Sequence, residues 1–103
     1  MYARLTTFRV KSDKFDDMRR WREENQTRIY GQPGLREWVG LMDEHGEFTV
    51  VAFFDDEQAA RDSMPYVRSL WGEIAPMIEG EPTARFVEVM GGDGIATRGV
   101  VAA

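Results

Sequence analysis

The segment covering residues 35–54, LREWVGLMDEHGEFTVVAFF, constrains the fold more than any other part of this sequence. Its two arms, Leu35–Met42 and Glu47–Phe54, are dense in β-branched and aromatic residues. A turn-forming DEHG lies between them, so the segment predicts a β-hairpin. The second arm is apolar on both faces, with Phe48, Val50, Ala52 and Phe54 on one and Thr49, Val51 and Phe53 on the other. A strand of this kind needs a cover on each side.

Size and composition limit the chain to a small globular class. Its 103 residues suggest one domain. The formal net charge of −5 and the lack of a basic cluster argue against nucleic acid and anionic membranes as partners. Cysteine is absent, which removes disulfides and thiolate chemistry, and no apolar run approaches the roughly 20 residues of a membrane span. We therefore expect a soluble, cytoplasmic protein.

The first third of the chain predicts a strand followed by a helix. Alternation over Tyr2–Val10 predicts the strand, with Ala3, Leu5 and Thr7 on one face and Tyr2, Arg4, Thr6, Phe8 and Val10 on the other. The helix is expected to begin at a cap formed by Ser12 or Asp13 and to run to about Tyr30. Glycine and proline in residues 31–34 end it.

The chain after the hairpin predicts a second, broken helix and a last strand. Acidic residues 55–57 open the helix, and its inner stripe is expected to contain Ala60, Met64, Val67, Trp71, Ile74 and Ile78. Because Pro65 does not fit a helix interior, we expect a break near Ser63, which would cap a second segment with Pro65 in its first turn. Pro76 ends that segment, and residues 83–90 form the last strand.

The βαββαβ order predicts an α+β, ferredoxin-like fold, with a four-stranded antiparallel sheet and both helices on one face. The other face would leave hundreds of Å² of apolar surface exposed, which is uncommon in monomers. We therefore expect a homodimer through the helix-free sheet face. Residues 1–90 form the domain, and residues 91–103 are expected to be a flexible tail or to lie over a neighbouring subunit.

Several stretches of the sequence carry a resemblance to a known family. They are the opening MYARLTTFRV, QPGL at 32–35, VGLM at 39–42, the acidic turn with residues 48–54, and DDEQA at 55–59. Over residues 2–90 the chain resembles the antibiotic biosynthesis monooxygenase family of dimeric α/β barrels. The resemblance implies a homodimer and a pocket within each subunit, between the sheet and the helices.

The resemblance also implies classes of activity. Characterised relatives include cofactor-independent oxygenases of aromatic polyketides or quinols, and haem-degrading enzymes. The haem-degrading branch uses an Asn on the first strand with a Trp and a His on the second helix. This chain has no Asn in its first strand and no His in its second helix, since its only histidine, His45, lies in the hairpin turn. Haem degradation is therefore not expected.

Arg22 and Asn25 are the candidate catalytic residues, because both lie on the inward stripe of the first helix. Polar groups at such positions need partners. They could bind a substrate oxygen or stabilise an enolate-like anion. In the alternative interpretation, Arg22 reaches solvent or pairs with a carboxylate such as Glu88, and Asn25 bonds the backbone.

Aromatic residues supply the candidate substrate-binding positions. Trp71 and Tyr66 could form a wall that stacks on a planar ligand, with Trp21 beside them and Tyr30 at the pocket mouth. At helical spacing these residues could equally be ordinary core or surface residues. Trp38 carries the same ambiguity and could instead anchor the dimer interface.

No metal or cofactor is expected from the motifs. His45 could act as a general base, but a DEHG turn between strands is typical of a solvated loop. A single histidine without cysteine argues against a transition-metal site. The acids at 16–17 and 55–57 lie at helix starts, where they complement the helix dipole, so they do not indicate a Mg²⁺ site. Phosphate-binding and nucleophile-elbow motifs are absent from the sequence.

Two hypotheses from different classes remain. The chain could be a cofactor-independent monooxygenase of a planar aromatic or quinol-type compound, which can react with oxygen when held dry and oriented. Alternatively, it is a non-catalytic dimeric module that binds a small apolar ligand or only assembles. A cavity of about 300 Å³ or more, entered by Arg22, Asn25 and a tyrosine, would favour the enzyme. Filling of that space by Met18, Met64 and Trp71 would favour the module.

Overall fold

The computed structural model describes residues 1–92. Its elements are β1 (Tyr2–Val10), α1 (Phe15–Glu24), α2 (Gln26–Tyr30), β2 (Leu35–Met42), β3 (Glu47–Phe54), α3 (Glu57–Asp62), α4 (Met64–Ile74) and β4 (Ile78–Glu88). The strands form one antiparallel sheet in the order β2-β3-β1-β4. The prediction of an α+β, ferredoxin-like fold is confirmed. The predicted tail, beyond residue 92, lies outside the described residues.

The first helix is divided, whereas a single helix to about Tyr30 was expected. The division falls at Asn25, whose backbone (φ −111°, ψ 17°) leaves helical geometry. The Asn25 side-chain amide donates a 2.8 Å hydrogen bond to the Trp21 carbonyl. Asparagine competes in this way with the regular helix ladder, which explains the break. The expected cap was also wrong, because α1 follows Lys14 and has no side-chain cap.

The second helix breaks at Ser63 as predicted, and Pro65 lies in the first turn of α4. Asp56 caps α3, accepting a 2.8 Å hydrogen bond from the Ala59 N–H. Ser63, however, does not cap α4 with its side chain. Its hydroxyl instead donates to the Ala60 carbonyl at 2.7 Å and accepts from Arg4. The serine therefore faces inward, toward the sheet.

The last strand begins earlier than the sequence indicated. It starts at Ile78 rather than residue 83, because a 3₁₀ turn over Ala75–Met77 follows α4 directly. Ile78, expected on the helix stripe, pairs with Val10 and is buried. The register shifts between Thr7 and Arg9 of β1, and Gly80 opposite that shift has a φ of +69°. A glycine tolerates this conformation, so an irregular strand replaces the expected loop.

The two faces of the sheet differ in cover. Met18 of α1 and Ile74 of α4 pack with Phe8 and Val50 on the covered face. The helix-free face carries the residues that alternate along the strands with those of the covered face. They include Ala3, Leu5, Val39, Leu41, Val51, Phe53 and Val87. Most of these side chains are partly buried by one another, and Leu41 remains 55% exposed. Within residues 1–92, no helix has both the length and the apolar character needed to cross a membrane.

Candidate functional site

A small cavity of about 50 Å³ lies between the covered face of the sheet and the helices. Its wall contains Arg4, Thr6, Phe8, Met18, Trp21, Arg22, Ile29, Gln32, Trp38, Phe48, Val50, Val67, Leu70, Trp71 and Ile74. The wall is mostly apolar and aromatic, with a few polar groups from β1 and from the loop after α2. This composition is typical of a small-molecule site. The volume admits a few water molecules and is smaller than a cavity that accepts a benzene ring.

Arg4 is the most unusual residue of this wall, because its side chain is fully buried. Its two terminal nitrogens donate hydrogen bonds to the Ser63 hydroxyl at 2.7 Å and the Gln32 side-chain oxygen at 2.8 Å. The guanidinium also lies 5.4 Å from the centroid of the Phe54 ring. Burial lowers the pKa of Arg4 to about 10, which leaves it protonated at neutral pH. The core therefore contains a positive charge held by neutral partners.

Two buried polar atoms of the cavity wall have no hydrogen-bond partner among the described residues. They are Nε of Arg4 and the hydroxyl oxygen of Thr6. Arg4 and Thr6 occupy alternate positions of β1 and so share one face, about 7 Å apart along the strand. Orphaned buried polar atoms are uncommon in native proteins, because each costs free energy unless water or a ligand satisfies it. Their place in the cavity wall marks this end of the cavity as its polar floor.

Sequence reasoning did not select Arg4 or Thr6 as site residues. The available signal was the strand pattern itself, which placed Arg4 on the same face as Phe8 and Val10. A charged residue in phase with an apolar face needs a partner or a function. Gln32 and Ser63, the two partners, were assigned only to a turn and to a helix break.

Arg22 and Trp38 form the boundary between the cavity and an outer groove. Both line the cavity and also an open groove of about 630 Å³ between α1 and β2. The Arg22 guanidinium lies 5.9 Å from the centroid of the Trp38 ring, and Tyr30 meets the same ring edge-on at 6.3 Å. Both residues are half-buried, so this cation–π contact is worth about 0.5–2 kcal/mol. Met18 and Phe48 also line both spaces, so the contact forms only part of what separates them.

Trp38 packs closely over Gly40 at this boundary because Gly40 has no side chain. A Cβ built on Gly40 would lie 2.6 Å from the Trp38 ring and 3.2 Å from Phe48. Trp38 also pairs across the sheet with Ala52 on the covered face. Trp38 therefore lies on the helix-covered face, and the hypothesis that it anchors a dimer interface stays a prediction from sequence.

The predicted catalytic pair is not brought together at the cavity. Arg22 lines it, but Asn25 does not. The Asn25 amide donates to Trp21, and its side-chain oxygen accepts a 2.7 Å hydrogen bond from Arg28. Asn25 thus follows the alternative interpretation, in which it bonds its own helix.

Some of the predicted aromatic residues line the cavity, and others lie outside it. Trp21 and Trp71 line the cavity, and Tyr30, 44% exposed, lines only the outer groove. The Tyr66 hydroxyl donates a 2.7 Å hydrogen bond to the Arg28 carbonyl outside the cavity. Met18 and Trp71 line the inner space, as the non-catalytic alternative expected, whereas Met64, the third residue that it named, lies in a separate groove with Phe86.

An ion pair fastens α2 over the cavity. Arg28 of α2 binds Glu73 of α4 through both of its terminal nitrogens. The hydrogen bond from Arg28 lowers the pKa of Glu73, and the same bond raises the pKa of Arg28. Ile29, next along α2, contributes to the cavity wall. This pair therefore controls how firmly one wall is held.

The remaining ionisable candidates lie elsewhere. His45 is exposed in the β2–β3 turn, 3.5 Å from Glu44. Asp43 accepts hydrogen bonds from the backbone N–H groups of Glu47 and His45, which lower its pKa. In the part of the chain that the structure describes, no three His, Asp or Glu side chains are grouped so that they could hold a metal ion. The helix-start acids instead form ion pairs such as that between Asp16 and Arg19.

Comparison with known proteins supports the fold through structure rather than sequence. No family model matches the sequence, and no curated protein matches it. A solved structure from Nitrosomonas europaea, named "Putative antibiotic biosynthesis monooxygenase", is 15% identical, with a TM-score of 0.72 over 88% of this chain and 100% of that one. A Chloroflexus aurantiacus protein of the same name is 18% identical, with a TM-score of 0.68 over 91% and 97%.

A third similar structure, a Nitrosomonas europaea protein of unknown function, is 16% identical, with a TM-score of 0.75 over 88% of this chain and 90% of that one. These likenesses span nearly all of the described domain. The chain therefore has an antibiotic biosynthesis monooxygenase-like fold. At such identities the likeness concerns architecture, so activity has to be argued from the cavity.

Proposed function

We propose that the protein binds a planar aromatic or quinol-type small molecule between its sheet and helices and acts on it as a cofactor-independent monooxygenase. The observation that carries the proposal is the aromatic cavity with Arg4 and Thr6 on its floor and Arg22 at its mouth. An electron-rich substrate such as an anthrone can react with O₂ after losing a proton. One oxygen atom enters the product, and the other leaves as water.

The residues present fit separate steps of this proposal. Trp21 and Trp71 provide the apolar walls that hold a ring away from water, which favours reaction of an oriented substrate. Arg22 provides a positive charge at the mouth, where it meets a substrate arriving through the outer groove. Asn25, Tyr66 and Tyr30 lie outside the cavity wall and stay predictions from sequence.

Binding of a ring requires the mouth to open. The cavity of about 50 Å³ is well below the 300 Å³ at which drug-sized pockets begin. Displacement of the Arg22–Trp38 contact, together with movement of Met18 or Phe48, would widen it toward the groove of about 630 Å³. That contact is worth about 0.5–2 kcal/mol, which ligand binding energy can offset.

The small closed volume favours a second candidate function, a non-catalytic module that binds a small ligand. Under this hypothesis the cavity sequesters a compound without reacting, and Met18 and Trp71 serve mainly as core. The two candidates share the binding site and differ in oxygen consumption. The cysteine-free composition also supports the proposal of a cytoplasmic location.

Oxygen uptake distinguishes the two candidates. Anthrone and a panel of naphthoquinols would be incubated with wild type, Arg22→Ala and Arg20→Ala, with spontaneous oxidation measured in parallel. We expect wild type to accelerate uptake and Arg22→Ala to lose at least tenfold. Arg20, on the same helix but exposed and paired with Asp17, is the matched control and should behave as wild type. Uptake equal to the spontaneous rate would reject the monooxygenase in favour of the binding module.

We also propose that the protein is a homodimer through the helix-free sheet face. Val51 lies at the middle of that face, between Leu5 and Val39. Its apolar neighbours lack a helix to cover them, and exposed apolar patches of this kind mark interaction sites. A second copy of the chain offers the same surface in return.

Light scattering tests the dimer. Wild type at micromolar concentration should have the mass of a dimer, and Val51→Asp should shift to monomer because a charge would be buried without a partner. Gln58→Asp adds the same charge on the exposed side of α3 and should remain dimeric. A wild-type monomer would refute this arrangement.

A further inference from the structure

Arg4 differs from the chain's paired arginines in what neutralises it. The arginines that form ion pairs within residues 1–92 are Arg9, Arg19, Arg20, Arg28, Arg36 and Arg61, all exposed. Arg4 is fully buried and forms no salt bridge in this same range. Its partners, Ser63 and Gln32, are neutral. A buried charge ordinarily requires an opposite charge.

The neutral partners leave the guanidinium incompletely bonded. The two terminal nitrogens are used, but Nε has no hydrogen-bond partner among residues 1–92. The hydroxyl of Thr6, on the same strand face, has none in that range either. Both residues line one cavity, so a small group bound there can accept from Nε and from the Thr6 hydroxyl together once the two side chains turn these buried atoms toward it. Such a group has to be an acceptor, because Nε can only donate.

We propose that this cavity binds the ionised acidic oxygen of its ligand, a carboxylate or a phenolate, with Arg4 Nε and the Thr6 hydroxyl as donors. The inference rests on the proposed binding of a planar small molecule and adds the charge of that molecule. An anion supplies both the missing acceptor and the missing counter-charge. Water can supply the acceptor alone, which makes water the competing occupant.

The sizes of the cavity and of the outer groove suit the two parts of such a ligand, its acidic group and its ring. The cavity of about 50 Å³ holds a few water molecules, which is the room that an acidic group needs. The attached ring then extends toward Trp38 and, once Arg22 moves, into the outer groove. Charged hydrogen bonds at a buried site are stronger than neutral ones, so the acidic group fixes orientation.

Paired probes test the charge in wild type alone. Binding of 2-naphthoate is compared with binding of 2-naphthamide by calorimetry, and binding of 4-nitrophenol with that of 4-nitroanisole by absorbance. We expect each anion-forming probe to bind at least tenfold more tightly than its neutral partner. Bound 4-nitrophenol should show a larger phenolate fraction than the free compound at the same pH. Preference confined to 2-naphthoate would assign the site to carboxylates, and preference confined to 4-nitrophenol would assign it to phenolates.

Substitutions at Arg4 and Thr6 test whether these two residues cause the preference for the anion. Arg4→Met should abolish the preference for the anion, and Arg4→Lys should retain part of it, since a charge remains without the forked donors. Thr6→Val, which removes the hydroxyl at nearly constant shape, should weaken anion binding several-fold. Arg20→Met removes the same charge from an exposed site and should bind as wild type does. If Arg4→Met fails to fold, Thr6→Val and the wild-type probe pairs still decide the question.

Three results would overturn the inference: equal binding of anionic and neutral probes, anion preference that survives in Arg4→Met, or absence of anion binding at millimolar concentration. The last would leave water as the occupant. These outcomes are separable from the proposed activity. Anion binding without oxygen uptake sustains this site while rejecting the monooxygenase. Accelerated uptake with neutral substrates bound as well as anions does the reverse.

Discussion

The space between the sheet and the helices has two ends. Both are lined by side chains of β1, but these side chains are apolar at one end and polar at the other. At one end Phe8 and Val10 of β1 pack with Ile74 and Ile78, and Phe8 stacks on Phe48 with ring centroids 4.8 Å apart. We call this the dry end. At the other end, the polar end, Arg4, Thr6 and Gln32 line the cavity, and Ser63 bonds Arg4 from outside the cavity wall. Phe8, Phe48 and Ile74 of the dry end also line this cavity. The same alternation along β1 thus serves packing at one end and a buried charge at the other.

The difference shows how a small domain can separate stability from function. The dry end gains from burial and stacking, without any polar group to satisfy. The polar end bears the desolvation of Arg4, which lowers the pKa of its guanidinium. Folding alone does not require such a charge, because apolar replacements of buried ions are often neutral or stabilising. Substitutions at the two ends should therefore affect different measurements.

The largest expected effect is on stability at the dry end. Phe8→Ala should lower the free energy of unfolding by about 3–5 kcal/mol, because it removes a buried stacked ring and leaves a cavity. Urea unfolding measures this, with Phe8→Leu as a milder control. The folded variant should keep its preference for 2-naphthoate over 2-naphthamide. Loss of that preference with only a small change in stability would erase the distinction between the ends.

Arg4→Met should change stability less than Phe8→Ala. Burial lowers the pKa of Arg4 from its ordinary value to about 10, which costs the folded state roughly 3 kcal/mol at neutral pH, and methionine removes this cost. Against this, Ser63 and Gln32 lose a donor, at about 1–3 kcal/mol each. The net loss should stay below about 3 kcal/mol by urea unfolding. Complete unfolding of the variant would instead show that Arg4 serves mainly to stabilise the fold.

The difference in stability between wild type and Arg4→Met should change with pH in one direction. Because the folded state lowers the pKa of Arg4 to about 10, the cost is fully present below that pH and fades as the pH rises above it toward the ordinary pKa of arginine. Wild type should therefore gain stability relative to Arg4→Met only on the alkaline side. Between pH 6 and about pH 8, the difference between the two proteins should be flat.

Gly40→Ala should disturb the mouth at the polar end more than the dry end's stacked core, because its new Cβ would lie 3.2 Å from Phe48 but closer still to Trp38. Its new Cβ would lie 2.6 Å from Trp38, so the ring has to move, at about 1–3 kcal/mol. We expect stronger acrylamide quenching of tryptophan fluorescence and faster entry of 2-naphthoate. Gly72→Ala is the matched control, since nothing lies within 4 Å of its Cβ. Unchanged quenching in Gly40→Ala would show that Trp38 does not close the mouth.

Glu73→Gln should give the smallest effect, a slight fall in melting temperature above pH 4.5. The Arg28 hydrogen bond lowers the pKa of Glu73 below its ordinary 4.5, so its stabilisation is present above that pH and is lost as the pH falls through the lowered value. The difference from wild type should thus vanish in acid. Glu81→Gln, an exposed glutamate without an ion pair in residues 1–92, serves as control. A difference that persists in acid would point to a lost contact other than the ion pair.

Local patterns predicted most of the architecture. The hairpin arms end where the alternation ends, and Pro65 marks the break between α3 and α4. The errors have a common cause. The division at Asn25 depends on whether its amide bonds the helix backbone, and the early start of β4 depends on a partner strand for Ile78. Neither partner can be read from the residue's own sequence neighbourhood.

The candidate site was less predictable than the fold. Helical periodicity directed attention to Arg22 and Asn25, yet only Arg22 reaches the cavity wall. Arg4 was visible as a charged residue on an apolar strand face, but its meaning depended on Gln32 and Ser63, 28 and 59 positions away. Such long-range hydrogen bonds follow from chain topology and leave no periodic trace.

By itself, the sequence determined the order of the elements, the antiparallel hairpin and the existence of two apolar sheet faces. These follow from alternation, glycine and proline, which act over a few residues. Only the tertiary structure decided that Arg4 is enclosed with neutral partners, that Nε and the Thr6 hydroxyl lack partners, and that Arg22 and Trp38 separate the cavity from the groove. Burial and hydrogen bonding depend on which distant segments meet, and that is settled when the helices close over the sheet.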